Sequence, residues 1–364
     1  MLPLEGLTVV SIEQAVAAPF CTARLADAGA TVIKIERPGG DFARGYDDVA
    51  RGQSSYFVWL NRGKTSRTLD LAGSEGRAEL DRLLGGADVL VQNLKRGALD
   101  RLGFGPARLS ASFPRLISCA ITGYGDRGPM ADRKAYDLLV QAESGLCAIT
   151  GSPSEPARVG ISLVDIATGA TAHAAILEAL IRRGATGRGA NISISMFDVM
   201  ADWLTVPLLN HEGGRDPRRI GLAHPSIAPY GAFTAGDGTQ ILLSVQSDRE
   251  WKKLCDVFLN RPDLGTDPRF ARNVDRVANR SETDAIVGAA FARRTGTAAM
   301  AALLKADIAL AVVNDMAGLS AHPHLRRITI DTPNGPVSCP APAPIWEGET
   351  RRYGPVPVLN PPGD

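Results

Sequence analysis

Leu7-Thr-Val-Val-Ser-Ile-Glu13 runs into Gln14-Ala-Val-Ala-Ala-Pro-Phe20, and Thr31-Val-Ile-Lys-Ile-Glu36 follows Gly29. The first and last of these stretches are apolar, rich in β-branched residues and of strand length. Between them, Pro19 sits where the first turn of a helix accepts a proline, and Gly29 sits where a C-terminal cap favours glycine. Farther on, residues 75–84 read as a helix ending at Gly85-Gly86, and Ala87-Asp-Val-Leu-Val-Gln-Asn93 and Arg115-Leu-Ile-Ser-Cys-Ala-Ile121 read as two more strands. Strands separated by helices predict βαβ units and a mostly parallel sheet covered on both faces, a doubly wound α/β domain.

The pattern changes after about Pro207. His211-Glu-Gly-Gly-Arg-Asp-Pro217 is a turn-rich connector, and Gly236-Asp-Gly238 separates Gly231-Ala-Phe-Thr-Ala235 from Gln240-Ile-Leu-Leu-Ser-Val245, the signature of a hairpin. Helices are expected at 251–259 and within 281–304, and Asn334-Gly335 signals a second hairpin before the prolines at 340, 342 and 344. The chain is expected to divide into a large doubly wound domain (1–205), a smaller α+β domain with its linkers (206–320) and a C-terminal segment (321–364).

Hydrophobic residues make up 45% of the 364 and charged residues 22%, which excludes a disordered chain or a coiled coil. Forty Lys and Arg against 39 Asp and Glu leave a net charge of +1, too little to draw the chain onto nucleic acid or an anionic membrane. Cys21, Cys119, Cys147, Cys255 and Cys339 are far apart and form no C-x-x-C pair, so they read as small hydrophobes in a reducing compartment. The N-terminus has no secretory pattern, and no uninterrupted apolar span reaches bilayer length. A cytoplasmic protein is expected.

The turn after the first strand contains no glycine, so close approach of a pyrophosphate is implausible there and a nicotinamide oxidoreductase is disfavoured. Basic residues gather instead at the strand ends: Arg37 after the second strand, Lys95 and Arg96 after the third, then Arg101, Arg133 and Lys134. Open α/β sheets bind ligands outside the carboxyl ends of their strands, so this placement suits a polyphosphate such as coenzyme A. In Gly160-Ile-Ser-Leu-Val-Asp165, an apolar run ends in one carboxylate before a helix. From pattern alone Asp165 reads first as a helix cap; at that helix end it is expected to be ionised, and in a semi-apolar cleft it could also act as a nucleophile. His173 reads as a packed histidine, His224 as a possible partner of an anionic substrate, and His322 and His324 as loop residues. No spacing predicts a metal site, and no serine has a nucleophile-elbow context.

Together these segments resemble the family III CoA-transferases, the group that includes formyl-CoA transferase, carnitine CoA-transferase and 2-methylacyl-CoA racemase. The resemblance runs through Leu4-Glu-Gly-Leu-Thr-Val-Val10, Leu25-Ala-Asp-Ala-Gly-Ala-Thr-Val-Ile-Lys-Ile-Glu-Arg-Pro-Gly-Gly-Asp41, Asn61-Arg-Gly-Lys64, Thr122-Gly-Tyr-Gly125, Asp165 and Thr186-Gly-Arg-Gly189. It implies a Rossmann-like large domain, a small domain and two subunits interlocked as a homodimer. It also implies that Asp165 is the nucleophile and forms first an acyl anhydride and then an aspartyl-CoA thioester. Gln14 and Ala15 would lie near the thioester, with Tyr136 and His224 lining the active site. Arg37, Asn93, Arg101 and Lys134 would contact coenzyme A, which is a substrate here and no permanently bound cofactor.

Within the resemblance, the racemase branch carries a Gly-His-Asp motif where this chain has Ala135-Tyr136-Asp137. Tyr is a poor base near neutral pH, which favours transferase. Gly221-Leu-Ala-His-Pro-Ser-Ile-Ala-Pro-Tyr-Gly231 replaces the glycine-rich loop of formyl-CoA transferase, which argues against formate or oxalate as the acid. A small C4–C5 dicarboxylic acid is expected instead, with Arg44, Arg62, Arg215, Arg218, Arg219 or His224 as the cation for its spare carboxylate. The alternatives are a 2-methylacyl-CoA racemase and a non-catalytic acyl-CoA-binding protein on the same scaffold. The family's terminal Gly-x-His-Thr motif and helix have no match before Asn360-Pro-Pro-Gly-Asp364, which implies either a weakened dimer or an altered reading frame.

Overall fold

The computed structural model describes residues 2–359; the C-terminal string 360–364, on which the expectation of a weakened dimer rests, lies outside them. Six strands form one parallel sheet: β1 Thr8–Ile12, β2 Thr31–Glu36, β3 Lys64–Thr68, β4 Val89–Gln92, β5 Ile117–Thr122 and β6 Ala190–Ser195. Their spatial order is β3-β2-β1-β4-β5-β6. Alternate residues face opposite sides, as the two-residue period of a strand requires. Val9, Val32, Val89, Val91, Ile117 and Cys119 pack beneath the helices Ala17–Asp27 and Leu163–Thr186. Val10, Ile12, Ile35 and Leu90 pack on the other face with Leu80 and Leu84 of the helix Ser74–Gly85. The fold is the mixed α/β, doubly wound type. The order reverses between β1 and β4, so their carboxyl ends diverge and open a crevice there.

The chain separates into two compact units, one of Met1–Cys147, Arg158–Leu209 and Arg326–Asp364, the other of Ala148–Ala157 and Asn210–Leu325. The second unit is α+β: strands β7 Tyr230–Thr234, β8 Gln240–Ser244 and β9 Ala309–Val312 pair antiparallel, and Trp251, Phe258, Phe270 and Phe291 fill its core. In the first unit, β10 Arg327–Ile330 and β11 Val337–Pro340 form the hairpin signalled by Asn334-Gly335.

The helix Leu163–Thr186 corrects the expectation that no apolar segment reaches bilayer length: by length and composition alone it could span one. One face of it packs on the sheet, with Val164, Ala167, Ala172 and Ile176 fully buried in the first unit. Gly169 lets it lie directly against the helix Ala17–Asp27. A Cβ at Gly169 would come within 2.4 Å of the Ala17 carbonyl oxygen.

Candidate active site

The crevice at the reversal point holds a cavity of about 500 Å³ whose walls include Gln14, Ala15, Asn93, Lys134, Tyr136 and Asp165. A second cavity of about 320 Å³ lies over the ends of β1, β2 and β3, lined by Arg37, Gly40, Leu69, Leu71 and Leu102, and shares Gln14 and Leu94 with the first. Arg101 lines a third cavity, beside Gln92 and Phe104.

The loop leaving β1 is held in an unusual shape. Asn93 grips Gln14 by two bonds: its Oδ1 accepts the Gln14 N–H at 3.0 Å and its Nδ2 donates to the Gln14 carbonyl at 2.8 Å. Ala15 has φ +63°, in the left-handed region that a side chain disfavours, and its N–H donates to Asp41 at 3.2 Å. Beneath this loop lies a charge network that sequence reasoning did not find. Glu13 meets Lys64 at 2.6 Å and Lys34 at 3.4 Å, and Lys34 meets Asp41 at 2.9 Å. Two cations face two anions, all buried, so the group is neutral as a whole, as burial of charge demands. Burial raises the Glu13 carboxyl, but Lys64, Lys34 and Thr22 outweigh it and hold the value below the ordinary one. Lys64 is lowered to about 8, chiefly by burial.

Asp165 is the third residue of the helix Leu163–Thr186, while Ser162 occupies the cap position. It is therefore no helix cap. The free N–H groups of that first turn are taken by another carboxylate: Asp137 Oδ1 accepts from Val164 at 2.7 Å and from Asp165 at 3.2 Å. Among the described residues no group donates a hydrogen bond to the Asp165 side chain. Burial, and secondarily the charge of Asp137, push its carboxyl up to about 7. The expectation that the helix end keeps Asp165 strongly ionised is thus corrected: Asp137 occupies the donors that would have stabilised the anion.

Tyr46 and Tyr56, unmarked in the sequence, also line this cavity. Tyr56 shares a hydrogen bond with Ser162 Oγ at 3.3 Å, and the two rings meet edge to face at 5.6 Å. Burial, then the charges of Asp41 and Asp165, raise Tyr46 to about 12, so its phenol remains an O–H donor. Tyr136 is 64% exposed at the start of the helix Asp137–Glu143. His224 belongs to the second unit, where its ring stacks on Tyr230 at 5.1 Å. Two cations nominated for a substrate carboxylate are already engaged: Arg44 pairs with Glu36 at 2.7 Å, and buried Arg62 pairs with Asp27. In the second unit, Arg219 donates to the carbonyls of Ala148 and Ser152. No cluster of His, Cys, Asp and Glu among the described residues could hold a metal ion.

Comparison with known proteins places these features in a family. The family model of CoA-transferase family III matches residues 4–360. An acetyl-CoA:oxalate CoA-transferase from Acetobacter aceti is 39% identical over 86% of this chain and 82% of its own. A succinate–glutarate CoA-transferase from Agrobacterium fabrum is 38% identical over 78% and 73%. The crystal structure of a CAIB/BAIF family protein from Brucella suis superposes with a TM-score of 0.84 at 36% identity, covering 99% of this chain and 97% of that one. A match across nearly the whole length, with a fold to suit it, means that the chain belongs to CoA-transferase family III and is a CoA-transferase acting on CoA thioesters.

Proposed function

We propose that the protein moves CoA between an acyl-CoA and a small C4–C5 dicarboxylic acid through covalent intermediates on Asp165. The observation that carries this reading is a carboxylate in the cavity wall, at the reversal point, to which no described side chain donates a hydrogen bond. With a carboxyl value of about 7, it is ionised above neutral pH yet more basic than an ordinary carboxylate, which suits a nucleophile.

An Asp165 oxygen attacks the thioester carbonyl; the C–S bond breaks and CoA leaves as the thiolate, giving a mixed anhydride. The thiolate then attacks the Asp165 carbonyl of that anhydride, releasing the first acid as carboxylate and forming an aspartyl-CoA thioester. The acceptor carboxylate attacks this thioester and frees the thiolate again, and the thiolate takes the new acyl group from the second anhydride. Asp165 returns as carboxylate, and no proton, electron or water is consumed.

Arg37, Lys134 and Arg101 are read as cations for the phosphates of CoA, and Asn93 as acting through Gln14, whose backbone it holds. The name of the succinate–glutarate CoA-transferase among the relatives supports the choice of a dicarboxylic acid. By resemblance, we read the working enzyme as an interlocked homodimer in the cytoplasm, with His224 near the substrate.

The test is a panel of acceptor acids with succinyl-CoA as donor, with hydroxylamine trapping of the enzyme during turnover. Exchange into C4–C5 dicarboxylates and a hydroxamate at Asp165 are expected. Exchange confined to monocarboxylates or oxalate overturns the substrate class, and absence of an Asp165 adduct overturns the mechanism. Deuterium uptake at the α-carbon without any acceptor acid would point to a racemase.

A further inference from the structure

We infer that Arg158 binds the free, non-reacting carboxylate of the dicarboxylic substrate; the inference rests on the substrate class proposed above. Five cations line the cavity of Asp165: Lys95, Arg96, Arg133, Lys134 and Arg158. Arg96 is paired with Asp132 at 2.8 Å and donates to the Asp126 carbonyl at 3.1 Å. Arg133 faces Glu143 at 3.4 Å and lies over the Tyr124 ring at 5.8 Å. Lys95 and Lys134 are flexible point charges, suited to phosphates.

Arg158 differs from all four. Its guanidinium makes one hydrogen bond, to the Gly160 carbonyl at 3.1 Å, and no acidic side chain among the described residues pairs with it. That bond orients the group while leaving most of its N–H donors available. A planar fork with free donors is the side chain that grips a carboxylate by two parallel bonds. Arg44 and Arg62, the arginines of this unit that the sequence nominates for the task, are occupied by Glu36 and Asp27.

The chain between Arg158 and Asp165 is fixed by two side chains of one short helix. Gln141, fully buried, accepts the Val159 N–H at 2.9 Å and donates to the Ile161 carbonyl at 3.4 Å. The same Nε2 group donates to Asp137 Oδ2 at 2.7 Å, and Asp137 Oδ1 holds Val164 and Asp165. The residue after Arg158 and the backbone of Asp165 therefore hang from one hydrogen-bonded pair. The backbone spacing between Arg158 and Asp165 is thus set by the fold, and both side chains line the same cavity.

In the double-displacement scheme, kcat/KM for the acceptor refers only to capture of enzyme-bound CoA, so the donor cancels when acceptors are compared. Glutarate and pentanoate share a five-carbon chain and differ in the second carboxylate. The wild type is expected to prefer glutarate, and Arg158→Gln to lower kcat/KM for glutarate about 10- to 100-fold while leaving pentanoate within about twofold. Arg158→Lys should keep part of the preference, since it retains charge without the fork. Pentanoate turnover reports that the variants are folded. If Arg158→Gln keeps the wild-type preference, or loses both acids equally, the role given to Arg158 is wrong while the substrate class stands. If the wild type shows no preference for glutarate, the substrate class itself falls, and this role with it.

Discussion

Asp137 Oδ1 accepts the backbone N–H of Asp165 at 3.2 Å, and beside the larger effect of burial the charge of Asp137 raises the Asp165 carboxyl. The bond removes a helix-terminal donor from Asp165 and sets a negative charge near it. Asp137→Asn keeps an oxygen for the Val164 and Asp165 N–H groups but loses the charge. The acid limb of the pH profile of kcat/KM for acyl-CoA, expected near pH 7 in the wild type, should move to lower pH. The move is partial, because burial is the larger cause. An unmoved limb would separate the pH dependence from the Asp165–Asp137 pair.

The same displaced value predicts a stability effect with a definite sign. Asp165 has a folded value of about 7 against an ordinary 3.8, so between these the folded protein keeps a proton that the unfolded chain releases. Stability from this group therefore falls as pH rises from about 4 to 7 and is level above that. Asn is neutral and similarly shaped, and carries no such dependence. The melting temperature of Asp165→Asn should exceed that of the wild type by a margin that widens between pH 5 and pH 7, reaching about several degrees, while CoA exchange drops by about 10³-fold or more. A margin that is constant with pH would contradict the raised value.

What the sequence made legible follows from where each signal resides. β1 and β2 are read from their own β-branched residues, and the reversal point follows from the order of elements. β3, Lys64-Thr-Ser-Arg-Thr68, has no apolar pattern, because Lys64 and Ser66 point into a polar interior and bond Glu13 and Glu36. β6 does alternate, with Ala190, Ile192 and Ile194 packed on the core, but every other residue is polar and the run is short; β9 is a four-residue apolar run that continues the alanine-rich stretch before it, so its own composition does not separate strand from helix. Asp165 could be found as a lone acid opening a helix. Its partner Asp137 lies 28 residues earlier, so neither the loss of the cap role nor the raised value could be read locally. Likewise, Arg44 and Arg62 look free in the sequence, since the carboxylates that engage them belong to other elements.

Asn93 offers a test of loop shape separate from chemistry. Asn93→Ala removes both bonds to Gln14 and leaves Ala15, at φ +63°, supported through Asp41 alone. A left-handed alanine relaxes when its surroundings no longer fix it. The loop should then move out of the cavity wall, with kcat/KM for acyl-CoA falling about 10- to 100-fold. The expected change in stability is small, about 1–2 kcal/mol in denaturant titration. Asn93→Asp keeps the acceptor but not the donor and should fall between the two. Full activity in Asn93→Ala would show that the clamp has no part in catalysis.

Gly169 tests whether packing between helices positions Asp165. It lies one turn beyond Asp165, and a Cβ there would meet the Ala17 carbonyl oxygen at 2.4 Å and the Phe20 ring edge at 3.1 Å. Neither neighbour can yield freely, since Ala17 and Phe20 are themselves buried against the core. Gly169→Ala must therefore part the two helices, against a gain of at most about 1 kcal/mol from better helix propensity. Overpacking of this kind costs about 1–3 kcal/mol, so a net loss of stability is expected. Ala17 also lines the cavity, so separating the helices moves Asp165 relative to the loop that carries Gln14 and Ala15. Turnover should fall more than acyl-CoA binding, because misplacement of the attacking oxygen is felt in the reacting geometry. Gly169→Ala with wild-type melting temperature and kcat would show that the close contact of the two helices is not what holds Asp165 in place.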